Sequence, residues 1–264
     1  YIKHQKLFKE TFMKNGICKL CDLEKELKRS HVIGRAVFKK ALKGANHALR
    51  FDRQHNKVVK DQDQWATYML CGECEQKLNK KYEEYSLNVL RDRMKSVKHK
   101  KRDSHYEIQG VDQKKLILYL LSIMWRGIES NHEVFKKLKI FDESPVAKNF
   151  LKKSVKNEQV FLTECFDLRI SKLVSLIAPF SEMELDFITD IYCNIDEKQR
   201  IRLLTIFEGY CFEFFFLTDK SQFLTGLGVL KKNKSILKMP YIDIFSIPEF
   251  QKSLLVMIES QKQH

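Results

Sequence analysis

The chain has 264 residues, 44% of them hydrophobic and 31% charged, which is the composition of an ordinary globular protein with room for one large core or two modest ones. Its net charge of +14 is unevenly placed: residues 1–110 hold 26 lysines and arginines against 14 acids, the remainder 22 against 20. A basic half beside a near-neutral half points to a polyanion partner for the first, and leaves the second to pack or to bind protein.

Residues 1–16 scatter charges where the apolar stretch of a secretory signal would lie. The longest nearly apolar stretch, 116–125, is too short to span a bilayer, so no membrane association is expected. These features place the protein in a reducing cytoplasm, where seven cysteines favour metal binding over disulfides.

In chain order, the first close cysteine pair is Cys18 and Cys21, and a short helix is expected from Arg35 to Lys43. Trp65–Leu70 is strand-like and runs into the second pair, Cys71 and Cys74. From Glu75 onward Leu78, Tyr82, Tyr85 and Val89 give one apolar helix face, with Glu75 and Asn79 side by side along its edge at i and i+4. Arg91–His105 holds seven lysines and arginines before Asp103 and reads as a linker or the solvated end of a helix. It sets the expected division: 1–105 with a basic tail, and 106–264.

In the second part Asp112 caps a helix through Leu116–Trp125 that is apolar nearly all round and therefore expected to be buried. Ser144 and Pro145 suit the start of another helix. Stretches 185–195 and 201–217 are strand-like, with a turn at Glu208-Gly209, and Pro248 opens a last helix. The fold class expected is α+β, the second part mixing helices with an antiparallel sheet.

A Cys-x-x-Cys turn presents two thiolates at tetrahedral spacing, and two such turns complete a closed four-cysteine zinc site. Cys18, Cys21, Cys71 and Cys74 are therefore expected to hold one structural zinc ion. A redox dithiol would not need the second pair. Cys165, Cys193 and Cys211 lie far apart in apolar settings and read as buried thiols.

Around these pairs, Lys28-Arg29-Ser30-His31-Val32-Ile33-Gly34 follows the first knuckle and Glu75 directly follows the second. This stretch resembles the pattern Cys-x-x-Cys, then Asp-His-x-x-Pro, then Leu-Cys-x-x-Cys-(His/Asn) of the HNH (ββα-metal) nucleases, especially their zinc-knuckle and junction-resolving branches. The resemblance implies that 1–105 is an HNH-like module in which a strand ends at His31 and a helix starts at the second knuckle. His31 would then be the general base that activates water against a phosphodiester, since an imidazole titrates near working pH. Glu75, assisted by Asn79, would hold a catalytic Mg²⁺ or Mn²⁺, hard cations that prefer oxygen ligands. Lys98, Lys100, Lys101 and Arg102 would contact nucleic acid, with DNA favoured over RNA.

The chain departs from the family pattern in four places. Ser30 stands where a metal-binding Asp is usual, Gly34 replaces a Pro, no Asn precedes Leu70-Cys71, and about 49 residues separate the knuckles. Ser122-Ile123-Met124-Trp125-Arg126 is similar to a later motif of a bacterial branch linked to phage defence, which extends the resemblance toward the whole chain. Proteins of that kind often work beside an ATPase, so the second part is expected to be a regulatory or partner-binding platform. No glycine-rich phosphate loop occurs in this chain itself. A zinc module that binds nucleic acid without cutting it, and an interaction protein with a purely structural zinc, are the alternative readings. His47 and His55 read as solvated loop residues, and Trp125 and Arg126 as core packing and a satisfied ion pair.

Overall fold

The computed structural model describes residues 14–41, 48–52, 57–61, 65–143, 145–160, 166–176, 181–186, 188–195, 201–216, 224–251 and 255. It is an α+β fold of mainly antiparallel sheets and a few helices, with one parallel strand pair at the edge of the largest sheet.

The first sheet contains β1 (Lys14–Ile17), β2 (Glu24–His31) and β5 (Ala66–Cys71), with β2 in the middle and both pairings antiparallel. Between β2 and β5 lie α1 (Arg35–Ala41) and a separate hairpin of β3 (Ala48–Asp52) and β4 (Lys57–Asp61). His47 and His55 fall outside the described residues. β5 passes without a loop into α2 (Gly72–Leu78), a π-helical turn (Asn79–Glu83) and α3 (Glu84–Leu90). The π turn is closed by the Glu84 amide donating to the Asn79 carbonyl.

The pairing of β2 with β5 slips by one residue between Lys28 and Arg29, leaving Met69 as an extra residue on β5. Released from the ladder, the Met69 carbonyl accepts from the Lys19 amide at 2.9 Å. The bulge thus ties the first cysteine turn to the strand that carries the second.

The basic run is not a linker. Lys98–Lys101 forms strand β6, which pairs with β7 (Tyr106–Gln109), and β7 pairs in turn with β12 (Ile236–Met239). Lysines alternate here with a residue that can be buried: the His99 ring turns inward and meets the Tyr106 hydroxyl at 3.0 Å. The division expected at 105 therefore falls within a hairpin whose third strand comes from the far end of the chain.

Helix α4 (Gln113–Glu129) is capped as expected, the Asp112 carboxylate accepting from the Lys115 amide at 3.2 Å. It is buried from Leu116 through Ile128, each large apolar side chain adding roughly 1.5–3 kcal/mol by leaving water. Around it pack α5 (Pro145–Asn157) and the 3₁₀ segment Glu133–Glu143. Ser144, expected to cap α5, lies outside the described residues.

The largest sheet adds β8 (Phe166–Val174), β9 (Asp190–Ile195), β10 (Ile201–Phe207), β11 (Tyr210–Phe216) and β13 (Tyr241–Asp243), in the order β13-β8-β11-β10-β9. Glu208 and Gly209 make the β10–β11 turn, both with positive φ. A short helix, α6 (Glu182–Leu185), packs against β8. The expected last helix begins at Pro248, and Leu254, Met257 and Ile258 lie outside the described residues. One apolar core runs from Cys18 and Leu27 through α4 to Phe212 and Met239, so both halves of the chain share it. Among the described residues, no helix is long and apolar enough to cross a membrane.

Candidate metal centre and the polar site beside it

The cysteine turn between β1 and β2 and the junction of β5 with α2 bring Cys18, Cys21, Cys71 and Cys74 together. Their ligand atoms all lie within 4.8 Å of one another. The Cys71 amide donates to the Cys18 sulfur at 3.3 Å, a bond that favours a thiolate acceptor. Burial pushes the Cys18 thiol up, but N–H donors of Cys21, Cys71 and Leu20 outweigh it and bring the group down to about 7. Cys74 moves the other way, driven up first by burial and then by the neighbouring thiols. Four thiols this close cannot all ionise without a cation among them, and tetrahedral thiolate ligation is what a structural zinc ion requires. The donor set fits that ion. Among the described residues, this is the one group of three or more His, Cys, Asp or Glu side chains gathered so closely. Of the remaining cysteines, Cys211 is buried, Cys193 is half-buried and Cys165 lies outside the described residues.

His31 ends β2 opposite Ala66 and is half-buried. Its backbone carbonyl accepts from Arg126 Nη1 at 2.6 Å. Arg126 comes from α4, ninety-five residues later, and is 1% exposed. Ser122, one turn earlier, steadies it: Nε donates to the Ser122 carbonyl at 3.3 Å and Nη2 to the Ser122 hydroxyl at 3.4 Å. The guanidinium also lies 3.7 Å from the Glu83 carboxylate. Trp125 is fully buried, so both residues behave as core packing and a satisfied ion pair should.

Glu83 carries no signal in the sequence that would have marked it out. In an ideal α-helix, positions eight apart point roughly 80° away from each other. The π turn absorbs an extra residue and brings Glu83 back toward the face that carries Glu75. Burial raises the Glu83 carboxyl from its ordinary value; Arg126 opposes the shift and the nearby Glu75 adds to it. A Cβ at Gly34 would collide with the Glu83 carboxylate, so a larger residue there requires that side chain to shift. Glu75 carries a buried carboxylate oxygen, Oε2, that has no hydrogen-bond partner among the described residues. Asn79, by contrast, is exposed at the start of the π turn.

Ser30 is fully buried, and its hydroxyl donates to the Lys28 carbonyl at 3.4 Å. Lys98, Lys101 and Arg102 are exposed on or just beyond β6, and Lys100 is half-buried.

A second buried network adjoins the first. Glu208, at the β10–β11 turn, pairs with Arg91 and with Lys40 of α1 at 2.9 Å. Arg91 also donates to the Ala36 carbonyl at 2.9 Å, and Lys40 reaches Asp186 at 2.8 Å. The loop and helix that follow His31 are therefore anchored to the C-terminal sheet. Between the two networks sits Tyr119, its hydroxyl fully buried and held in the neutral form by that burial.

No protein family, no curated protein and no solved structure matches this chain.

Proposed function

We propose that the chain is a metal-dependent endonuclease of the HNH type that hydrolyses phosphodiester bonds of nucleic acid, DNA in preference to RNA. The observation that carries the reading is the order of parts at one place. An antiparallel strand pair has His31 at the end of its first strand, and its second strand runs through a cysteine knuckle directly into a helix bearing Glu75. Glu75 offers a buried carboxylate oxygen with nothing in hydrogen-bond reach among the described residues, an arrangement that costs free energy unless a cation or donor arrives.

In this reading His31 takes the proton from a water molecule. The water oxygen forms a bond to phosphorus, and the bond from phosphorus to the leaving sugar oxygen breaks. Arg126 holds the His31 backbone and so fixes where the imidazole begins. A Mg²⁺ or Mn²⁺ ion held by Glu75 would supply charge stabilisation to the phosphate and the leaving oxygen. Such ions typically take one or two carboxylates and complete their shell with water and substrate phosphate, so a closed cage of protein ligands is not required. Asn79 would assist from the start of the π turn, and Glu83 adds a second carboxylate near Glu75. The resemblance to a defence-linked branch further proposes an anti-phage effector, with the C-terminal part available to a partner ATPase.

One observation favours a second reading, a zinc module that binds nucleic acid without cutting it. Ser30, at the position of the family's usual aspartate, is turned into the core and bonded to its own strand. Incubation of supercoiled plasmid with the purified chain and Mg²⁺ or Mn²⁺ separates the two. Nicking or linearisation that stops without divalent ion is the expected result. Binding without any cut under every divalent ion tried would leave the binding module.

A further inference from the structure

The sheet β6-β7-β12 joins two basic runs that are far apart in sequence. Lys98 stands opposite Gln109, and Gln109 opposite Ile236; Lys100 stands opposite Glu107, and Glu107 opposite Lys238. Residues in register share a face, and this is the outer one, because His99, Ile108 and Leu237 in the alternate row turn inward. At the Lys98 end of the sheet the chain enters β12 through a turn that carries Lys231, Lys232 and Lys234, all exposed.

That turn is held in place. The Ser235 carbonyl accepts from the amides of Gly110 at 2.8 Å and Val111 at 3.1 Å. The Gln113 side chain accepts from the Lys231 amide at 2.8 Å and donates to the Ile236 carbonyl at 2.9 Å. Glu107, the acid within this patch, is tucked under its neighbours: Gln109 donates to it at 2.6 Å and Lys238 lies 3.8 Å away. Asp112, at the patch edge, caps α4 and faces Lys115.

We propose that these two runs form one binding surface for the phosphate backbone of nucleic acid, made of Lys98 and Lys100 from the basic half and Lys231, Lys232, Lys234 and Lys238 from the half whose overall charge is near neutral. It deepens the proposed function but rests on its nucleic-acid-binding part alone, not on cleavage. Lysines are strongly hydrated point charges on flexible stems, suited to tracking phosphates without reading bases. A protein partner would need apolar or aromatic anchors at the centre of the patch, and this face offers one exposed Ile236.

The test is the salt dependence of binding to a short fluorescent DNA duplex, measured by anisotropy without added divalent ions so that no strand is cut. Three variants are compared with wild type: Lys231→Gln/Lys232→Gln/Lys234→Gln, Lys98→Gln/Lys100→Gln, and a charge-matched control, Lys136→Gln/Lys148→Gln/Lys153→Gln. Each phosphate that is no longer neutralised lowers the slope of log affinity against log salt by about 0.9. The first triple variant is expected to lose roughly 2–3 in slope and the control to keep the wild-type slope. An unchanged slope in the first triple variant, an equal loss in the control, or no duplex binding by wild type overturns the proposal. Competition by polyglutamate as effective as that by duplex would assign the surface to acidic proteins and also overturn it. A chain that binds duplex with the expected slopes but never cuts it supports this surface while removing the nuclease reading.

Discussion

The four-cysteine centre and the His31–Glu83–Arg126 centre share one strand-strand-helix unit and are assembled in opposite ways. The first takes two pairs of neighbours, each pair within a single turn of chain, and needs one long-range meeting. The second draws on β2, the π turn and α4, and its guanidinium arrives from ninety-five residues away. One centre is local chemistry clamped by a bulge; the other exists only once the whole core has formed. It follows that metal should govern the folding of the first region, and that the second should report on packing between the two halves.

The largest effect that sharpens this contrast is Cys71→Ser. Thiolate ligation of a structural zinc is itself folding free energy. The variant should lose its zinc and the cooperative unfolding of the N-terminal half, read by metal analysis and circular dichroism. Folded, metal-free wild-type protein would break the contrast at its first term.

Next comes Arg126→Met, which keeps the bulk of the side chain and removes its charge. Glu83 is then left buried without its cation, and the His31 carbonyl loses its donor. Removing one partner of a buried pair costs about 3–5 kcal/mol, to be measured by urea unfolding with zinc content unchanged. Loss of zinc together with stability would mean that the two centres are one unit.

A smaller loss, about 1–3 kcal/mol, is expected for Gly34→Ala, because the new methyl group meets the Glu83 carboxylate. Most of that loss should vanish in a Glu83→Ala background. A cycle showing additive effects would place the two residues out of contact.

The smallest effect concerns pH. The Glu83 carboxyl is raised above its unfolded value by burial, so the folded protein holds that proton more tightly than the unfolded chain does. Its contribution is complete below the ordinary glutamate value and is lost as pH rises through the higher folded value. The stability of wild type relative to Glu83→Gln should therefore decline with rising pH from about 4.5 upward. A difference that grows with pH would mean that Arg126 outweighs burial.

What is legible in the sequence follows the same division. The cysteine set, the burial of Leu116–Trp125 and the Glu208-Gly209 turn rest on local signals: ligand spacing, an apolar surface all round a helix, and a glycine between two strand-like runs. Glu83 stays hidden because the α-helical period puts it out of phase with Glu75, and only the π turn restores it. Arg126 reads correctly as an ion-paired core residue, yet its partners lie on two other elements that no local pattern names. The basic run misleads for a related reason. Seven lysines and arginines suggest a solvated tail, whereas the strand depends on His99 packing against Tyr106 and on β12, which arrives from residues 236–239.

The measurement that tests the central claim most directly is the rate of plasmid cleavage as Mn²⁺ is raised, for wild type, His31→Ala and Glu75→Ala. A missing general base lowers the rate by roughly 10²–10⁴-fold whatever the metal concentration, whereas a missing metal ligand weakens affinity and is partly restored by more metal. The expected result is a His31→Ala protein that binds zinc and DNA but stays inactive throughout, and a Glu75→Ala protein that recovers toward wild type at high Mn²⁺. Full activity in His31→Ala, or a Glu75→Ala protein with the wild-type Mn²⁺ dependence, would contradict the assignment of this site.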